Sequence, residues 1–211
     1  MTTPATIERR RFADELLAAG PDAPTLCEGW TTRDLAAHVV LRETRPDAAV
    51  GVVAPFLSGY TDKVQQRIAR DDYDELVESV RTGPPAWSPT RIERIDRAVN
   101  TAEFFVHLED VRRGGDDWSP RALDTSLQAD IHASLSRVAK LLTRRSPVGV
   151  VLEPDDGHAP IVAKRGEPTV HVRGGVGELM LFVYGRADQA AVELDGTDDA
   201  VARLRSASFG F

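Results

Sequence analysis

The sequence predicts a helical bundle over residues 1–145 followed by a small α+β unit over residues 146–211. Two observations carry that expectation. Apolar residues recur at three- and four-residue spacing through the first part, and after Pro147 the period shortens to two. The helical stretches are joined by medium loops without strand signals, the pattern of an antiparallel bundle. With 211 residues, 42% hydrophobic and 28% charged, the chain is long and apolar enough for two modest globular domains.

Each element has its own signals. Thr6 is expected to cap a first helix carrying Phe12, Leu16 and Leu17 on one face, stopped by Gly20-Pro21. A loop ending Leu26-Cys27-Glu28-Gly29-Trp30 follows, and Thr31 with Asp34 three residues on reads as a capping box. The helix it opens carries Leu35, His38, Val39 and Arg42 and ends before Pro46. A third helical stretch spaces Leu57, Val64 and Ile68 and continues through Leu76 and Val80 to Gly83-Pro84-Pro85. A fourth, from about Arg91 to Arg113, turns Ile92, Ile95, Val99 and Ala102 inward and closes at Gly114-Gly115. The last helix before the switch runs from about Ser126 to Arg144 with Leu127, Ile131, Leu135, Val138 and Leu142. Beyond Pro147, Val148–Leu152, Ile161–Ala163 and Thr169–Val172 are short β-rich runs separated by turn residues. An apolar helix from Glu178 to Tyr184, a strand from Ala191 to Leu194 and a helix from about Asp198 to Ser206 complete the unit.

Composition narrows the function. With 26 basic and 33 acidic residues the net charge is −7, shared as −3 before residue 146 and −4 from there on. Neither half offers the basic stripe that neutralises phosphates, so nucleic acid is set aside. The single cysteine, Cys27, excludes an intramolecular disulfide and a cysteine-based zinc cluster. The N-terminal arginines precede no apolar run. The longest apolar stretch, Ala48 to Leu57, falls well short of the roughly 20 residues of a membrane span. A cytoplasmic protein is expected. Arginine outnumbers lysine 23 to 3, a bias of GC-rich bacterial genomes.

The most informative segment is Glu103-Phe-Phe-Val-His107 on the fourth helix. Residues four apart share a helix face, with Cβ atoms about 6 Å apart. A carboxylate and an imidazole so placed can reach one metal ion at about 2 Å. Asn100 and Asp110 extend the face in both directions. A solvent-facing polar stripe is the competing reading. His38 shares its face with Leu35 and Val39, so it points into the bundle, either as a hydrogen-bonded core histidine or as a third ligand. Spacing leaves both readings open.

The run Glu28-Gly-Trp-Thr-Thr-Arg-Asp-Leu-Ala-Ala-His38, with Glu103-x-x-x-His107-x-x-Asp110 far downstream, resembles the DinB-like superfamily. Its nearer likeness is to the mycothiol-dependent maleylpyruvate isomerase-like branch, which implies an actinobacterial setting. The resemblance implies a four-helix bundle in which His38, Glu103 and His107 bind a divalent metal. Gly174, Leu179 to Tyr184 and Gly185-Arg186 are similar to that branch's C-terminal, sterol-carrier-like domain. The segment Gly83-Pro-Pro-Ala-Trp87-Ser-Pro89 marks a distinct subgroup.

Other residues carry weaker signals. Cys27 has no histidine near it in sequence and reads as inert packing before it reads as a nucleophile. His132 follows an inward position and is expected in solvent; His158 lies in a turn and His171 in a strand, both structural or exposed. Asp110 is either a partner orienting a ligand histidine or a surface carboxylate pairing with Arg113. Arg186 is either a helix-terminal charge or a clamp for a substrate anion near the metal.

Together these imply an enzyme, a metal-dependent transferase or isomerase using a low-molecular-weight thiol, by resemblance mycothiol. Zinc fits three ligands of His, Glu and His, and Ni or Fe fits the same set. Asp110 and Arg186 are the candidate catalytic residues beside it. The expected partners are a small thiol and an electrophilic substrate, with the chain a monomer or homodimer away from membranes. The competing function is a module that binds or senses a metal or small molecule without turnover.

Overall fold

The computed structural model describes residues 3–45, 58–85, 93–207 and 209, with the side chains of residues 58 and 93–99 left aside. The expected positions Leu57, Trp87 and Ile92, the side chains of Ile95 and Val99, and the stretch Ala48 to Leu57 lie outside that description. The described residues form eight α-helices and four strands, a helical N-terminal part followed by mixed α+β structure. Two compact units divide the chain, Met1–Trp118 and Ser119–Phe211. No described helix is long and apolar enough to cross a membrane.

In the first unit, α1 (Pro4–Ala19) is capped by Thr3 rather than Thr6, because Pro4 has no N–H to lose and takes the first helical position. Thr3 Oγ1 accepts from Thr6 N at 3.1 Å. α2 (Thr32–Thr44) opens as expected, with Thr31 N donating to Asp34 Oδ2 at 2.9 Å. The third stretch is two helices, α3 (Ser58–Ile68) and α4 (Tyr73–Thr82). The break is chemical: Asp72 accepts from Asp74 N at 3.0 Å and Glu75 N at 3.2 Å, starting a new helix. α5 (Glu93–Arg112) ends the helical run. Phe12 and Leu16 of α1, Leu35 and Val39 of α2, Leu76 and Val80 of α4, and Phe104 and Leu108 of α5 form one buried cluster. Each such Leu or Phe contributes about 1.5–3 kcal/mol.

The second unit holds α6 (Thr125–Leu142), β1 (Gly149–Pro154), β2 (Ile161–Lys164), β3 (Thr169–Gly174), α7 (Val176–Val183), β4 (Glu193–Asp195) and α8 (Asp198–Arg205). The sheet order is β2-β1-β3-β4, with β1 and β3 parallel and both outer strands antiparallel to their neighbours. The sequence places α6 in the bundle, with the boundary at residue 145; in the structure the boundary precedes α6, which packs against α7 and β2. Val150, Leu152, Val170 and Val172 are fully buried, and a sheet's apolar face requires helical cover. Leu127, Ile131, Leu135 and Leu142 of α6 are likewise buried.

One close approach fixes the loop between α1 and α2 against the end of α5. A Cβ on Gly114 would stand 2.1 Å from the Pro24 carbonyl oxygen and 2.9 Å from Thr25 Cα, both backbone atoms. Gly114→Ala is therefore expected to destabilise the fold by about 1–3 kcal/mol, the usual cost of overpacking. A urea unfolding midpoint equal to that of the unchanged protein would refute this contact.

Candidate metal centre

Two helices and one loop build the site. His38 lies on the second turn of α2, where the helix's apolar face turns it inward, and it is 8% exposed. Glu103 and His107 lie one turn apart on α5, and Asp110 follows on the same face, fully buried. The loop is clasped by Thr25, whose Oγ1 donates to Trp30 O at 2.9 Å and accepts from Cys27 N at 3.2 Å. Leu26 N donates to Asp110 O at 3.0 Å, which ties the loop to α5.

His38 Nε2 is 3.8 Å from Glu103 Oε1, and His107 Nε2 is 3.0 Å from the same oxygen. One donor atom from each of the three residues lies within 4.8 Å of the others. The His38 and His107 rings meet edge to face at 5.6 Å, and Trp30 covers His38 at 5.1 Å between centroids. Arg42, one turn beyond His38, pairs with Glu103 and donates Nη2 to Asn100 Oδ1 at 3.0 Å. Asn100 and Glu103 are thereby explained as partners of Arg42 as well as members of the α5 polar line.

The two histidines are electrostatically unlike. Burial, with the positive charges of His107 and Arg42, pushes the His38 pKa down to about 3, against an opposing hydrogen bond from Gln65. His38 is thus neutral at pH 7, the form that coordinates metal. Burial also acts to lower His107, but hydrogen bonds with Asp110 and Cys27 outweigh it and raise its pKa. Its Nδ1 donates to Asp110 Oδ2 at 3.0 Å, a contact that makes the ring more basic.

The structure places Asp110 beside His107 and gives the weaker candidates partners of their own. Arg113 pairs with Glu109 at 2.7 Å, both side chains buried, and Asp110 faces His107 instead. Cys27 is no inert packing residue: its Sγ donates to Asp110 Oδ2 at 3.3 Å. No sequence signal joined residues 83 positions apart. His132, expected in solvent, is half-buried, its Nε2 donating to Ala159 O at 2.9 Å and its ring 4.7 Å from that of His158. His158 bonds Asp156 at 2.8 Å and His171 bonds Glu153 at 2.6 Å, both local contacts of the second unit. Arg186, in the second unit, follows α7 and donates Nη1 to Tyr184 O at 2.5 Å.

The model of the mycothiol maleylpyruvate isomerase N-terminal domain matches residues 3–121, more than half of the chain. The chain belongs to this family. Two solved structures share the fold of this maleylpyruvate isomerase-like chain. One is a histidine-to-alanine variant of the mycothiol-dependent maleylpyruvate isomerase, with a TM-score of 0.59 and 16% identity. The other is the mycothiol-dependent maleylpyruvate isomerase itself, with a TM-score of 0.53 and 15% identity. Each comparison covers 91% of this chain and 90% of the other. No curated protein sequence matches. The family match covers α1 to α5 and the loop that carries Cys27, so the bundle and the three convergent residues fall within it.

Proposed function

We propose that the chain is a metal-dependent, thiol-using transferase or isomerase, with His38, Glu103 and His107 holding a divalent ion, zinc in preference to nickel or iron. The observation that carries this reading is the convergence of two imidazoles and a carboxylate from helices far apart in sequence. The donor set fits such an ion: His38 is held neutral, His107 presents Nε2, and Glu103 supplies one negative charge. When bound, the ion lowers the pKa of a coordinated thiol, by family likeness that of mycothiol, and supplies it as thiolate.

The chain's own residues prepare that chemistry. Asp110 keeps a proton on His107 Nδ1 and so leaves Nε2 for the ion. Trp30 and Phe12 flank the imidazoles.

The test combines metal analysis with a turnover assay. Purified protein loaded with zinc should hold one equivalent and consume an electrophile only when mycothiol or a similar thiol is added. Zinc bound without any turnover across a panel of thiols and electrophiles would favour the binding or sensing module instead. Asp110→Asn should weaken zinc affinity by about 10–100-fold without emptying the site, as the loss of a residue supporting a ligand does. Competition with a chromophoric chelator reads this, and unchanged affinity would remove Asp110 from the site.

A further inference from the structure

Among the described residues, two candidate ligand groups share one imidazole. His107 belongs to the set with His38 and Glu103 and also to a set with Cys27 and Asp110. The two sets use opposite edges of the ring: Nε2 faces Glu103 and Nδ1 faces Asp110. Asp110 is fully buried, and its Oδ2 accepts both from His107 Nδ1 at 3.0 Å and from the Cys27 thiol at 3.3 Å. Asp110 Oδ2 thus has two donors, and turning toward one alone gives up its bond to the other.

We propose that Cys27 is a positioning residue for the metal centre, its thiol donating to Asp110 Oδ2 and so fixing the carboxylate that orients His107. This rests on the metal assignment above. Cys27 acts here as a hydrogen-bond donor, neither a nucleophile nor a ligand. Its place is set by the backbone: Leu26 N is tied to Asp110 O, Trp30 N donates to Cys27 O at 2.9 Å, and Cys27 N donates to Thr25 Oγ1. The Cys27–Trp30 turn therefore delivers two things to the site at once. The thiol meets both Asp110 and the Nδ1 edge of His107, and the indole covers His38. A serine at position 27 keeps the donor; an alanine removes it and leaves Asp110 with one partner fewer.

The test uses the full chain with Cys27→Ala and Cys27→Ser. Cobalt(II) and zinc affinities are measured by chelator competition, and the His107 ring proton is followed by nitrogen-edited NMR in the metal-free protein. The expected result is an affinity loss of about 10-fold in Cys27→Ala, the low end for a residue that supports a ligand, with recovery in Cys27→Ser. In the metal-free protein the Nδ1 proton should be protected from solvent exchange in the unchanged chain and in Cys27→Ser, and lost to exchange in Cys27→Ala. Equal affinity and equal protection in all three proteins would overturn the proposal. So would a thiolate-to-cobalt charge-transfer band in the loaded protein, since Cys27 would then be a ligand. If the unchanged chain binds neither cobalt nor zinc, the metal assignment fails, and the exchange measurement alone decides the role of Cys27. Should Cys27→Ala fold poorly, Cys27→Ser against the unchanged chain still separates a donor, which keeps the metal affinity, from a sulfur ligand, which loses it.

Discussion

His107→Ala and His38→Ala are each expected to reduce bound zinc from about one equivalent to the background of a protein without a site, because two remaining ligands cannot hold a labile ion in a site built for three. The loss should far exceed the about 10–100-fold that follows from removing a supporting residue. The structure makes the two variants complementary. His38 is carried by α2 and His107 by α5, so equal loss in both would require one ion to join the two helices. His132→Ala, on α6 and bonded to Ala159 O, serves as the control and should retain full occupancy. Metal analysis after dialysis reads all three. Full zinc occupancy in His107→Ala would reject the ligand set.

The second large effect concerns stability. Arg9 of α1 and Glu43 of α2 form a buried pair, their side chains 7% and 5% exposed. Arg9 Nη1 donates to Glu43 Oε2 at 2.8 Å and to Val80 O at 3.0 Å, and its guanidinium lies 4.3 Å from the centre of the Phe104 ring. One arginine thereby joins α1, α2, α4 and α5. Glu43→Ala would leave its charge in the interior without the carboxylate, and breaking a buried pair from one side costs about 3–5 kcal/mol. Against a total stability of about 5–15 kcal/mol for a typical domain, that is a large fraction. The urea midpoint should fall accordingly, and Glu43→Gln, which keeps an acceptor, should lose less. A fall of under about 1 kcal/mol would show that water reaches Arg9 and compensates it.

Much of this was readable in the sequence, and the failures have physical causes. The capping box at Thr31 and the change of period at Pro147 are local signals, and the helix and strands they mark are present. The inward direction of His38 followed from its neighbours Leu35 and Val39, and its distance from Glu103 bears that direction out. The continuation of the third helix failed because an Asp72 side chain can outcompete helix propagation, which apolar spacing alone does not register. α6 was helical as expected, but helical periodicity says which face is apolar and nothing about what covers it. A sheet took that face where a bundle was expected. The bond of Cys27 to Asp110 has a similar cause: the two residues are near only once α5 and the loop have met. Local pattern finds elements; it does not find partners that folding brings together.

The placement of His38 and His107 has a kinetic meaning. The two rings are 69 residues apart in the chain and 5.6 Å apart in the fold. Bringing such distant residues together costs loop-closure entropy that must be met before their contact repays it. A chain whose α5 has not yet docked on α1 presents two separate imidazoles with little hold on an ion. An ion that binds only after docking withdraws the docked state from the equilibrium and acts as a clasp, slowing the return to the open chain and adding to stability as its free concentration rises above its dissociation constant.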